Sequence, residues 1–183
     1  GALGEVEMAA SHVIMQYMLL ISLGLDGFAH ATEALAGAAW GEDKAAGFRR
    51  WVNLTGLWAM AASVVYAGIF WVAGSTITEL LTDIPSVRLT VETVMPLIIA
   101  LPIVAVACYQ FDGVYIAATA AAAMMGTMAV AFAAYMLLLQ PLAGRYGLQG
   151  LWGAVLIFMA VRGLAQAVWY PRLESRLNRQ NRL

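Results

Sequence analysis

The chain has 183 residues, of which 62% are hydrophobic and only 11% charged, and its formal net charge is −1. Soluble domains carry about 45–50% apolar and about 25% charged residues, so a mean hydropathy of +0.77 excludes an ordinary water-soluble fold. The small net charge gives no indication of a nucleic-acid partner, and the single Cys108 excludes an internal disulfide framework and a cysteine-rich metal site.

Five apolar stretches are long enough to cross a membrane. Each reaches or exceeds the roughly 20 residues needed for a hydrocarbon core about 30 Å thick. They are rich in Ala, Leu and Met and do not alternate with period two, which favours helices over barrel strands. The sequence therefore predicts an all-α membrane protein with five transmembrane helices, at about residues 8–39, 52–73, 89–111, 114–139 and 148–170.

The connections between these stretches differ in charge. Lys44, Arg49 and Arg50 follow the first stretch, an acidic loop with Glu79 and Asp83 follows the second, and residues 171–183 form a basic tail. Because positive charge marks the cytoplasmic side, we expect the first loop and the C-terminus to be cytoplasmic, in a multi-pass protein of the bacterial inner (plasma) membrane. Five spans would then place the first residue outside, with no leader to carry it there, so we expect that upstream spans are missing.

The first predicted helix carries three ionisable residues in its second half. Asp26, His30 and Glu33 follow each other at steps of four and three, which places them on one face that Gly37 continues. A charge at the bilayer centre costs about 2.5–3.5 kcal/mol, so such a face is expected to bind or relay protons or to neutralise a cationic substrate. The alternatives are that Glu33 lies in the hydrated interface and that His30 is a hydrogen-bonded packing residue.

Two further ionisable residues lie in or beside the later helices. Asp112 precedes Gly113, a pair that predicts either a turn between the third and fourth helices or a carboxylate at the inner mouth of a pathway. Arg162 lies inside the last helix, where it either snorkels to the cytoplasmic surface or pairs with Asp26, Glu33 or Asp112. We favour pairing.

Other features of the sequence predict local structure. Pro96 and Pro102 fall inside the third helix, where each removes a backbone hydrogen bond and favours a kink. The run Ala117–Ala123, followed by Gly126, gives the fourth helix a small-residue face suited to close packing. The sequence has no phosphate-binding loop and no H-E-x-x-H motif, so it offers no support for an ATP-driven pump or a membrane hydrolase, and we expect no cofactor and no metal.

Two stretches resemble the MATE (multidrug and toxic compound extrusion) family, in its DinF-like branch. The segment from Met8 through the Gly24-Leu-Asp-Gly core to Gly37 is similar to that branch's eighth helix, and Phe111–Thr119 is similar to its motif at the junction of the tenth and eleventh helices. The resemblance runs from about Met8 to Glu174. One departure is that residues 120–125 carry no charge where the family often has a Met-Arg-type element.

The resemblance implies a partial C-terminal bundle, helices eight to twelve, of a twelve-helix transporter built from two six-helix bundles. It places Asp112 where the sister NorM-like branch has a carboxylate implicated in cation coupling. In DinF-like proteins, by contrast, coupling is usually assigned to an aspartate on the first helix, which this sequence does not contain.

The expected function is secondary active efflux by a transporter that is not an enzyme. It would export cationic or amphipathic small molecules in exchange for inward-moving protons or sodium ions. Its partners would be the substrate, the coupling ion, the lipid bilayer and the missing N-terminal bundle of the same protein. The residues expected to respond to ion or substrate are Asp26 and Asp112, supported by Glu33, His30 and Arg162. The alternatives are a non-transporting half-length scaffold that associates through residues 117–126, and a flippase for lipid-linked substrates.

Overall fold

The fold consists of long helices only. A computed structural model describes the backbone of residues 4–180 and the side chains of residues 4–177. The helices are α1 (Glu5–Gly41), α2 (Ala45–Leu81), α3 (Pro85–Ala117) and α4 (Ala121–Gln180). All four are long and apolar enough to cross a membrane. The all-α membrane class is therefore confirmed, whereas the described part of the chain has four helical elements instead of the five predicted.

The missing fifth helix is the second half of α4. Only Gly147, with φ 55° and ψ −128°, has a non-helical backbone between residues 121 and 180, but the chain reverses there. The rings of Tyr135 and Phe158 are 5.9 Å apart, although 23 residues of straight helix would separate them by about 35 Å. We call residues 121–146 the first limb of α4 and residues 148–180 the second limb. The two limbs are antiparallel, and the chain turns at a single glycine within residues 140–147, the gap between the two predicted spans.

The boundary between α3 and α4 also differs from the sequence prediction. Asp112 and Gly113 lie inside α3, which continues to Ala117, so the prediction of a turn at Asp-Gly is wrong. Gly113 packs against the α1 backbone, where an added Cβ would collide with the carbonyl oxygen of Ala29. The glycine is therefore needed for close helix packing. The turn itself lies at residues 118–120, with Thr119 at a φ of 50°.

The helical conformation of α3 continues through both prolines, with no non-helical residue at either. Pro102 is buried and Pro96 exposed. Near Pro96, the carbonyl of Thr93 accepts a hydrogen bond from Gln149 Nε2 of the second limb at 2.9 Å. A side chain from the neighbouring helix thus binds a backbone carbonyl in the turn that precedes Pro96.

The helix ends gather at two opposite faces of the bundle. At one face, Arg49 at the start of α2 meets Glu174 near the end of α4, with Nε and Oε1 3.3 Å apart. At the other face, Gly147 lies near Glu7 of α1. The first face, which we call the basic face, carries the basic residues Lys44, Arg49, Arg50, Arg172 and Arg176. The expected grouping of the first loop with the C-terminal segment is therefore seen.

The outer surface of the bundle is apolar. Trp71, Leu137 and Val168 expose 77%, 77% and 74% of their surface, and these side chains lie within segments of membrane-spanning length. The core forms mainly between α1 and α3, around fully buried residues such as Tyr17 and Ile98. Tyr17 donates its hydroxyl hydrogen to the carbonyl of Gly74 at 2.7 Å, which ties α1 to α2. A helix bundle in a bilayer requires this arrangement, with apolar residues facing the lipid and hydrogen bonds joining the helices inside the bundle.

Candidate functional site

An ion pair between α3 and the second limb of α4 is the central polar feature of the bundle. Arg162 donates from one terminal guanidinium nitrogen to Asp112 Oδ2 at 2.6 Å. Only 14% of the Arg162 side chain and 20% of the Asp112 side chain are exposed. Because Asp112 lies inside α3 and faces α4, the pair joins two membrane-spanning helices. Of the three partners considered for Arg162 from the sequence, Asp112 is the one it contacts.

A second side chain completes the coordination of the carboxylate. Gln166, one helical turn after Arg162, donates from Nε2 to Asp112 Oδ1 at 2.8 Å and is fully buried. The backbone carbonyl of Gln166 accepts the hydroxyl hydrogen of Tyr115 at 2.8 Å. Both Asp112 oxygens are thus bonded, while Arg162 Nε and Gln166 Oε1 remain buried without a hydrogen-bond partner within the described residues. The network satisfies the carboxylate and leaves one donor and one acceptor unused.

Asp26 lies on α1 beside this network. Ser22, one turn earlier, shares a hydrogen bond with the Tyr109 hydroxyl at 2.5 Å, and Ala29, one turn later, contacts Gly113. Asp26 therefore sits between two points where α1 touches α3. Its own side chain is exposed. The structure brings Asp26 towards the Asp112–Arg162 pair without bonding it to either residue.

His30 and Glu33 form a separate pair on α1. His30 Nδ1 and Glu33 Oε2 are 3.5 Å apart, and 78% and 41% of these side chains are exposed. Arg162 pairs with Asp112, so the two alternatives in which it pairs with Asp26 or Glu33 are not seen. Asp26, His30 and the half-buried Glu33 form one polar stripe along a mostly apolar membrane-spanning helix.

A third polar cluster lies where α1, α2 and α3 meet. Gln110 donates from Nε2 to Thr55 Oγ1 at 2.9 Å and to the carbonyl of Val52 at 3.1 Å. Thr32 on α1 lies 2.7 Å from Thr55 Oγ1 and 3.1 Å from Gln110 Oε1. All three side chains are buried. This cluster fixes the register of three helices two residues before Asp112, and so positions the carboxylate.

Sequence reasoning missed Gln166, Gln110 and the two threonines. The available signal was a polar residue within an apolar span at helical spacing from a charge, since Gln166 follows Arg162 by four residues. No group of three His, Cys, Asp or Glu residues within the described part of the chain is arranged to hold a metal.

Outside the spans, Lys44 lies 2.7 Å from Glu42. Its hydrogen bond and positive charge lower the pKa of the Glu42 carboxyl below its ordinary value.

The fold and the site together define a multi-pass helical membrane protein whose spans are joined by an ion pair within the bundle. The chain is similar to DNA damage-inducible protein F of Escherichia coli (strain K12), with 36% identity over 172 residues. The match covers 91% of this chain but only 36% of that protein, so the chain spans about a third of the relative's length. No protein-family model matches the chain, and no solved structure matches it.

Proposed function

We propose that this chain forms part of a secondary active exporter of cationic or amphipathic small molecules, in which Asp112 responds to an inward-moving proton or sodium ion. The observation that carries the proposal is the Asp112–Arg162–Gln166 network, because a charged carboxylate inside a bundle of spanning helices is costly unless it is paired. The similarity to DNA damage-inducible protein F and the sequence's resemblance to the MATE family support the same class.

The geometry suggests how ion binding changes helix packing. When Asp112 is ionised, its negative charge balances the positive charge of Arg162, and the ion pair holds the second limb of α4 against α3. A proton or a sodium ion on Asp112 cancels the negative charge, which leaves Arg162 as a buried cation without its counter-charge. The arrangement with the Asp112–Arg162 pair is then no longer lower in free energy than an arrangement in which Arg162 contacts Asp26 or water. An ion that binds the two arrangements with different affinity shifts the balance between them.

The polar stripe on α1 supplies the second part of the proposal. Asp26 and His30 are exposed and Glu33 is half-buried, on a helix whose exposed residues are otherwise mostly apolar. Charges on a lipid-facing surface are costly, so this stripe is expected to face a water-filled cavity. Two carboxylates there would attract a cationic substrate. The basic face would be cytoplasmic, in the inner membrane of a bacterium.

Export of a lipophilic cation tests the proposal. In cells expressing the complete gene product, Asp112→Asn keeps the shape of the side chain and removes its charge, and we expect ethidium export to fall at least tenfold, the scale of one lost charge-assisted contact. Asp83→Asn is the matched control, because Asp83 is an exposed aspartate in the turn between α2 and α3. Imposed proton and sodium gradients would identify the coupling ion. Unchanged export in both Asp112→Asn and Asp26→Asn, at equal protein levels, would refute the proposal.

A further inference from the structure

A groove of about 600 Å³ runs between the two limbs of α4. The small-residue run is packed only in part. Ala117, Ala118 and Ala120 are buried in a core cluster with residues of α1 and α2, and Ala123 packs against it, whereas residues 121, 122 and 126 of the first limb are exposed. The apolar walls of the groove come from both limbs and include Ala122, Ala123, Gly126, Val130, Ala165 and Val168.

One end of the groove is polar and basic. Thr119, Trp169 and Arg176 line it there, and the guanidinium of Arg172 lies 4.2 Å from the centre of the Trp169 ring. The ion pairs among the described residues use neither Arg172 nor Arg176. This end belongs to the basic face, where the start of α2 and the end of α4 meet. A tryptophan beside two arginines is the composition found at the headgroup level of a membrane.

The groove extends through only half of the membrane. From Thr119 to Val130 it follows 11 residues of the chain, about 16 Å at 1.5 Å per residue, which is about half of a hydrocarbon core 30 Å thick. Beyond that depth the limbs close on each other through Tyr135 and Phe158. A further transmembrane helix would need a groove of full membrane depth. A single acyl chain from one leaflet needs only this length.

We propose that this groove binds one anionic phospholipid from the leaflet at the basic face. An acyl chain lies along the alanine- and glycine-lined walls, and the headgroup phosphate is bound by Arg176 and Arg172. Trp169 lies at the glycerol level, where amphipathic rings are favoured. The two arginines at the open end indicate that the ligand carries an anionic phosphate. The length of the apolar walls indicates that it also carries an acyl chain. The proposal is independent of the proposed transport function, since no residue of the Asp112 network lines the groove.

Retention of lipid by the purified protein tests this assignment. The complete gene product that contains this chain is reconstituted in nanodiscs of equal parts phosphatidylglycerol and phosphatidylcholine, released in mild detergent, and examined by native mass spectrometry. We expect one phosphatidylglycerol on most chains and little phosphatidylcholine. Arg176→Gln should lower the retained fraction about fivefold, the expected contribution of one interfacial arginine. Arg50→Gln is the matched control, because Arg50 is exposed on the same face but lies outside the groove.

A second variant blocks the apolar part of the groove. A Cβ added at Gly126 meets no atom within 4 Å, so the backbone there has room for a side chain. Gly126→Leu should fill the groove and abolish retention. Ala133→Leu, on the exposed surface of the same limb, should leave retention unchanged. The proposal is overturned if Arg176→Gln and Gly126→Leu both retain lipid like their controls. It is also overturned if phosphatidylcholine is retained equally well, or if chain dimers that Gly126→Leu abolishes occur in place of bound lipid.

Discussion

Removing one or both partners of the Asp112–Arg162 pair measures how strongly it joins α3 to α4. Loss of one member of a buried pair costs about 3–5 kcal/mol, because the remaining charge is left without a partner. Since 20% and 14% of these side chains stay exposed, water relieves part of that cost, and we expect about 3 kcal/mol for Asp112→Ala and for Arg162→Met. The double variant leaves no uncompensated charge but loses the packing of both side chains, so it should cost about 4 kcal/mol, below the sum of about 6 kcal/mol.

The assay is reversible unfolding of the purified chain in mixed micelles of increasing SDS content, followed by tryptophan fluorescence. A coupling free energy of about 2 kcal/mol is expected from the four proteins of the cycle. The same cycle on Asp83 and Arg88 is the control, because Asp83 is fully exposed and the two groups are 3.4 Å apart. There we expect less than about 1 kcal/mol. If the Asp112 and Arg162 costs add to within about 0.5 kcal/mol, the pair does not stabilise the helix contact.

Three substitutions test the backbone contacts and turns by the same unfolding assay. Gly113→Ala would push its methyl group into the α1 backbone and should destabilise the protein by about 2 kcal/mol or more. Gly153→Ala is the control, because its methyl group meets no atom within 4 Å and should not destabilise the protein. Equal effects of the two substitutions would contradict the close contact at Gly113. Gly147→Ala should cost about 1–3 kcal/mol, because its φ of 55° and ψ of −128° are unfavourable for any residue with a Cβ. Thr119→Asn should stabilise the protein by about 1 kcal/mol, because asparagine tolerates a φ of 50° better than a β-branched residue, and a loss of stability would show that the threonine side chain has another role there.

Composition and span length were sufficient to predict the class of the fold. Four of the five apolar segments predicted from the sequence lie within helices, and the segment at 114–139 crosses the turn at residues 118–120. The charges of the connections placed the first loop on the same side as the C-terminal segment, and the Arg49–Glu174 contact shows this grouping. These features follow from the cost of polar groups in lipid, which acts on every residue of a span and is therefore visible in one sequence.

The boundaries of the helices could not be read in the same way. Asp112-Gly113 has the composition of a turn, but Gly113 is required by the approach of the α1 backbone, a tertiary contact that sequence spacing does not show. The reversal at Gly147 needs one residue, although the predicted spans left residues 140–147 between them.

The candidate site was predicted in part. The sequence identified Asp112 and Arg162 because charges in a span are rare, and it left the choice among three carboxylates open, since only the three-dimensional packing decides it. Gln166 was missed because an amide in a span is less conspicuous than a charge. The roles of Asp26, His30, Glu33, Pro96 and Pro102 stay predictions.

The reversal of α4 at a single glycine also bears on how the protein enters the membrane during synthesis. The two limbs contact each other between residues that are close in sequence, such as Leu142 and Gly150, and contacts of short sequence separation form early. Residues 121–180 are therefore expected to insert as one hairpin, with Gly147 at its tip and Thr119 and Arg176 at its open end.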